Sequence, residues 1–392
     1  MRQVLLRHLS WLLLLAVLAP SAGGAIAVAS ATRLPSGDEF NVLSWELRSV
    51  PNKWLYLGGR LFRGRLSLEE ENERLARYLE LTRRAAELDG SADGASRSER
   101  DRVLDERDAI GNDVEAIIEG RLTAVLEDVG LESSLPLLPD ARWVFPPVDV
   151  EFDRTPRELA VSPRARIELI EQRPLAPALG LADVQAVEAG VESDGERSAL
   201  VFALAGAATY PSIVAPRSDY ESLVQVVAHE WVHHYLAFKP LGRHFYESLE
   251  LRTLNETVAE VAGQELGTLV VQRFPLDGES AAAEPAIDLD AFFRALRSEV
   301  DALLGAGRVD DAEALMERRR QDLAAQGVYY RRINQAFFAF RNVYASEAGS
   351  TDPIGEKVTL LRERNASIGA FLRAAAALTG ERGLDGVLAG TD

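Results

Sequence analysis

Two histidines four residues apart flank a glutamate in His229-Glu230-Trp231-Val232-His233. The surrounding stretch, Ser218–Phe238, reads as one buried helix. Leu223, Val224, Val226, Val227, Trp231, Val232 and Tyr235 leave it almost no polar face, and Ser218 with Glu221 has the form of a capping box. Residues four apart stand on one side of a helix, with Cβ atoms about 6 Å apart, so two neutral imidazoles placed this way can share one zinc ion. Glu230 lies one step round the helix and can reach a water beside that ion, as metal-assisted hydrolysis requires. Sinking two imidazoles and a carboxylate into so apolar a helix is unfavourable unless something pairs them. A metal is the partner this donor set favours. With only 5 His in 392 residues, a chance match is uncommon, although a metal-free descendant would keep the same letters.

A catalytic zinc site takes a third protein ligand and keeps one position open. The arrangement HExxHxxGxxH is ruled out, because Leu236 and Lys239 stand where its Gly and third His would be. The chain has no Cys, so a thiolate ligand is excluded as well. A glutamate from a later helix remains, with Glu256 and, as competitors, Glu250 and Glu247.

That later helix is expected from about Ser248 to Val271 and contains Asn255-Glu256-Thr257-Val258-Ala259-Glu260. Together with HEWVH, this pattern resembles the gluzincin metallopeptidases, the thermolysin-like and aminopeptidase-like branch of the zincins. In them HExxH is followed by a helix bearing Glu, often within Asn-Glu-x-x-x-Asp/Glu. The resemblance spans roughly Ala199 to Val271; 22 residues separate His233 from Glu256, slightly more than the commonest family spacing. It implies Zn2+ on His229, His233 and Glu256, with Glu260 accepting a hydrogen bond from the distal nitrogen of a ligand histidine. It also implies Glu230 as general base, a peptide or protein substrate, and an edge strand ahead of the helix that holds extended peptide. Family members place a Tyr or His where the oxyanion develops, for which Tyr344 and Tyr330 are candidates. The Gly-x-Met-Glu-Asn signature of large aminopeptidases is absent, so nothing marks an exopeptidase. The contrasting reading is a non-catalytic, membrane-associated helical protein with a structural or vestigial zinc site. Glu230 speaks against it, since a structural site needs no base.

The elements that must position these residues follow from the rest of the chain. Its length allows two or three packed subdomains, and a formal charge of −18 without a basic cluster argues against a nucleic-acid partner. Arg2 and Arg7 precede an uncharged run, Leu9–Thr32, broken by Pro20, Gly23 and Gly24 and followed by Ala25-Ile26-Ala27 and Ala29-Ser30-Ala31. Residues 1–31 are therefore expected to be a signal peptide, or else an uncleaved anchor giving membrane association through the N-terminus. Either places the body outside the cytoplasm, secreted, periplasmic or membrane-anchored.

Residues 32–134 are expected to form an N-terminal helical region. A helix falls near Phe40–Tyr56, a second opens at the Ser67/Glu70 capping box and reaches about Leu88, and a third runs from about Glu99 to Val129. The flexible tract Asp89–Ser98 joins the last two into an antiparallel hairpin. Residues 135–275 form the zincin-like core, with strands expected at Val148–Asp153, Glu158–Ser162, Arg166–Glu171, Ala182–Glu192 and Ala199–Tyr210. Leu200–Leu204 is apolar enough for a central strand, and Pro211 and Pro216 mark where pairing stops. Residues 276–392 form a C-terminal helical lobe, with helices at Leu289–Leu304, Asp310–Ala325, Tyr329–Ser346 and Ile354–Leu378 and with Phe337, Phe338, Phe340 and Tyr344 in its core. The expected class is α+β, mostly helical: a zincin-like small sheet plus active-site helices, an N-terminal helical hairpin and a C-terminal helical lobe.

Overall fold

Ser67 and Glu70 cap each other as their spacing requires: the Glu70 N–H donates to Ser67 Oγ (3.2 Å) and the Ser67 N–H to Glu70 Oε2 (2.7 Å). They open helix α1 (Leu68–Asp89), which packs antiparallel to α2 (Gly94–Asp128). Arg77–Glu106, Arg84–Glu99 and Arg74–Asp113 pair across the hairpin, while Leu75, Tyr78, Val114, Ile118 and Leu122 bury its inner faces. The second helix starts at Gly94, so it takes up part of the tract expected to be flexible.

The computed structural model describes residues 40, 66–89, 94–135, 138–276 and 287–390. The apolar segment of residues 1–31, nearly all of the helix expected at Phe40–Tyr56, and the tract 277–286 lie outside the described residues. The class is α+β and mostly helical, with small sheets. Among the described residues no helix is long and apolar enough to cross a membrane.

Strands β1 (Glu132–Leu135) and β2 (Leu138–Val144) form a hairpin. Next come β3 (Val150–Phe152), β4 (Arg157–Pro163), β5 (Glu171–Leu175), helix α3 (Leu181–Glu192), β6 (Arg197–Ala203), β7 (Gly206–Ala207) and β8 (Ser212–Val214). One sheet has the order β5-β4-β6, all antiparallel; the other has β3-β8-β7, with β3 and β8 parallel.

Several expectations are corrected here. The stretch Ala182–Glu192 is helix, not strand: Val184, Val187 and Val191 recur at helical spacing over Leu159, Val161 and Val201, and Asp183 accepts the Gly180 N–H (3.0 Å). The strand expected at Arg166–Glu171 begins instead at Glu171. Leu200–Ala203 belongs to the edge strand β6, Leu204 lies just past its end, and β4 is central. Its apolar character has another cause, because α3 covers one face while Phe337 and Phe340 meet Phe202 on the other. Pairing resumes after Pro211, since Ser212–Val214 lies between two strands and ends before Pro216.

Helices α4 (Tyr220–Ala237), α5 (Pro240–Arg243) and α6 (Leu249–Arg273) follow. The cap of α4 is Asp219 rather than Ser218, with Asp219 Oδ1 accepting the Ser222 N–H at 2.6 Å. Ser248 Oγ caps α6 through the Leu251 N–H at 3.1 Å. The chain ends in α7 (Leu289–Gly305), α8 (Val309–Ala325), α9 (Gln335–Arg341), α10 (Ile354–Glu363), α11 (Ile368–Ala376) and α12 (Glu381–Ala389). The helix expected over Tyr329–Ser346 thus shrinks to seven residues, because Asn334 caps it late and irregular turns follow Asn342. The one expected over Ile354–Leu378 splits in two where Ser367 caps a new start.

The largest core joins both N-terminal helices to α4, α6, α10 and α11, through Leu122, Leu223, Trp231, Leu254, Leu361 and Phe371. A second core lies among α7, α8 and α9, with Phe293, Met316, Phe337 and Phe338. The facing surfaces of α4 and α6 therefore lie deep in the molecule, and that is where the histidines point.

Candidate metal centre

The local chemistry of α4 sets one half of the site. Trp231 is buried and donates its indole N–H to Pro146 O (2.8 Å), which fixes the rotation of the helix about its axis. His229 and His233 then face α6 together, their rings 4.8 Å apart and their side chains only 13% and 12% exposed. Glycines of α6 set the other half. A Cβ on Gly263 would lie 2.9 Å from His229 Cβ, and one on Gly267 would lie 2.8 Å from the Gln225 backbone. Their four-residue spacing lets the two helices touch backbone to side chain, drawing the next face of α6 up to the imidazoles.

That face carries Glu256. Its Oε2 lies 3.5 Å from His229 Nε2 and 3.2 Å from His233 Nε2, and the two Nε2 atoms are 3.1 Å apart. These three atoms form the donor group suited to a metal ion. Tetrahedral bonds of about 2.0–2.1 Å put ligand atoms about 3.3–3.4 Å apart, close to all three separations. The remaining ring nitrogens support the fit. His233 Nδ1 lies 2.8 Å from Asn255 Oδ1, an amide oxygen that only accepts, and His229 Nδ1 lies 3.3 Å from Glu260 Oε2. In a neutral ring both contacts favour the proton on Nδ1, which leaves the Nε2 lone pair turned inward for a cation. Two lone pairs and a carboxylate oxygen aimed at one point repel each other until a cation joins them.

Electrostatics point the same way. Burial pushes the His229 imidazole down, but the Glu256 and Glu260 carboxylates outweigh it and raise its pKa well above the ordinary histidine value. Burial likewise opposes ionisation of Glu256 and Glu260, yet both imidazoles hold Glu256, and His229 with Gln264 holds Glu260, below the ordinary carboxylate value. A metal ion would satisfy the same demand while releasing that proton.

Glu230 is buried beside this group, and burial raises its pKa against the pull of the two imidazoles. Gly206 on β7 makes room for it: a Cβ there would overlap the Glu230 carboxylate. Tyr344 lies near this group, its ring 6.2 Å from that of His229. Burial and the Glu256 and Glu230 carboxylates push its hydroxyl pKa well above the ordinary value, so it stays a donor. Thr257 places it, accepting the Ala345 N–H on Oγ1 at 3.0 Å and so pinning the turn to α6.

The structure therefore brings together His229, His233, Glu256, Glu260, Glu230 and Tyr344. Tyr330 lies apart from them, packed in the second core 5.3 Å from Phe293. Glu250 accepts the Glu381 N–H (2.8 Å) and Glu247 contacts His244 (2.6 Å), so both competitors for Glu256 are engaged elsewhere. His234, next to the ligand pair, turns away toward Tyr210, and burial lowers it to about 4. Sequence reasoning missed Asn255, Gly206, Gly263, Gly267 and Thr257. Asn255 and the glycine pair had a readable signal, in the Asn-Glu dipeptide and the Gly-x-x-x-Gly spacing; Gly206 and Thr257 had none. Comparison of the chain with family models, curated proteins and solved structures gives no match.

Proposed function

We propose that this chain is a zinc-dependent metallopeptidase of gluzincin type, with His229, His233 and Glu256 as zinc ligands and Glu230 as general base. The observation that carries the reading is a carboxylate oxygen within 3.5 Å of two inward-facing imidazole nitrogens, with a second buried carboxylate one residue along from the first histidine. Two imidazoles and one carboxylate are the donor set of catalytic zinc, which leaves a position open. Zinc bound there would supply Lewis acidity to water and to a peptide carbonyl.

The chain's own residues do the rest. Glu230 takes a proton from the attacking water as its oxygen bonds the carbonyl carbon, and passes it to the amine as the C–N bond breaks. A carboxylate already raised by burial suits both steps, because it must accept a proton and give it up near neutral pH. Tyr344 donates its O–H toward the carbonyl oxygen as charge develops. Asn255 and Glu260 hold the imidazole tautomers. The zincin-like core and a location outside the cytoplasm belong to the same proposal.

Metal analysis of purified protein and a peptide-library digest with and without chelator test it, together with Glu230→Gln. Stoichiometric zinc in both proteins is expected, with hydrolysis abolished by chelator and reduced about 10²–10⁴-fold in the variant. Bound zinc without chelator-sensitive cleavage would favour the non-catalytic reading, and full turnover in Glu230→Gln would remove the mechanism.

A further inference from the structure

One charged residue at the site has no part in this scheme. Arg252 lies one turn before Glu256 on α6, so Arg252, Glu256 and Glu260 form a stripe along the same face. Its guanidinium carbon sits 5.6 Å from the centre of the Phe245 ring, and that ring is 6.1 Å from the ring of His233. The same cation acts electrostatically on Tyr344 and on Glu158 of β4, which also feels Glu256. Arg252 therefore lies beside the group that would hold the metal.

Several other inner guanidiniums are bonded within the fold, although the Nε atoms of Arg121, Arg157 and Arg217 also lack an acceptor. Arg121 bonds Tyr220 and Asn72, Arg297 bonds Asp301, Asn342, Thr351 and Gly349 O, and Arg331 clasps Glu188. Among the described residues the Arg252 guanidinium forms no hydrogen bond and no ion pair, and its Nε is shielded from solvent without an acceptor. A carboxylate it acts on is a poor counterion: burial pushes Glu158 up to about 7, and the Arg252 charge and a Gln172 hydrogen bond only partly offset this. A guanidinium is a planar fork of donors that matches a carboxylate two bonds at a time.

We propose that Arg252 anchors a carboxylate of the peptide substrate beside the metal centre, supplied by the C-terminus or by an acidic side chain near the scissile bond. The inference rests on the peptidase reading and adds a substrate class to it. The test uses binding, so that it does not depend on turnover. Three short peptide hydroxamates, alike except for a C-terminal acid, a C-terminal amide, or an amide with an added Glu side chain, are titrated calorimetrically into the zinc-loaded full chain.

In the wild type one of the two carboxylate-bearing ligands should bind about 10–100-fold more tightly than the plain amide, the range for hydrogen bonds to charged groups. Which of the two gains affinity identifies the source of the carboxylate. Arg252→Met should bring that ligand down to the level of the amide, and Arg252→Lys, with the charge but not the fork, should fall between. Equal affinities for all three ligands in the wild type, or no binding of any, would overturn the assignment even if Arg252→Met failed to fold. So would an Arg252→Met variant that weakens all three alike, as a merely structural residue would. Discrimination without hydrolysis of any peptide would keep Arg252 as the anchor and remove the peptidase reading; hydrolysis without discrimination would do the reverse.

Discussion

Glu188 and Glu256 are both sunk in the interior, 2% and 7% exposed, and both carry charge there by opposite arrangements. Glu188 on α3 meets donors on every side: the Val201 N–H at 2.7 Å, both Nη atoms of Arg331, and Arg332 at 3.2 Å. Its partners come from β6 and from the loop before α9, so the cluster ties sheet to lobe and is complete within the chain. Around Glu256 lie two imidazole nitrogens, 3.5 and 3.2 Å away, whose rings, when neutral, keep their protons on the other side, toward Glu260 and Asn255. A buried charge surrounded by donors serves the fold, whereas one that shares its focus with other acceptors calls for a cation.

The comparison breaks most visibly at Glu256. Glu256→Ala should lose stoichiometric metal altogether, while Glu250→Ala, whose carboxylate caps the Glu381 N–H, should keep it. Metal titration of both variants decides this, and the reverse pattern would place the ligand wrongly.

Glu188→Ala should leave metal binding intact and cost about 3 kcal/mol of stability, the low end for breaking a buried ion pair because its arginine partners are about a third exposed. Denaturant unfolding measures it. The sign with pH follows from the ionisation. Burial opposes the Glu188 charge, but Arg331, the Val201 N–H and Arg332 outweigh burial and hold its pKa below 4.5. Its stabilisation is therefore full above that value and lost as pH falls through the lowered pKa. Wild type and Glu188→Gln should converge in stability as pH falls from 4.5 through the lowered Glu188 pKa; a gap that persists below it would show that the carboxylate does not act through its charge.

The smallest effect sharpens the metal side. Glu260→Ala and Asn255→Ala should each weaken metal affinity about 10–100-fold without changing stoichiometry, since they hold the imidazoles rather than the ion. Loss of stoichiometric metal in Glu260→Ala would make that residue a direct ligand.

Some of this was legible in the sequence because it depends on neighbours along the chain. The period of a helix alone puts His229 and His233 on one face and Arg252, Glu256 and Glu260 on another, and the caps at Ser67 and Ser248 are three-residue hydrogen bonds. Where local signals conflicted, the sequence misled: Ala182–Glu192 is expected as strand, yet the spacing of Val184, Val187 and Val191 and the burial of Val184 against the sheet make it helix. The resemblance pointed to Glu256, but that Glu256 rather than Glu250 or Glu247 faces the imidazoles is decided by the tertiary structure. It depends on how closely α4 and α6 approach, and that distance is set where Gly263 meets His229 and Gly267 meets Gln225. Tyr344 reached the site through one hydrogen bond from its neighbour to Thr257, 88 residues away in sequence. Periodicity fixes what lies on one helix face, but the meeting of two faces is decided by packing between segments far apart in the chain.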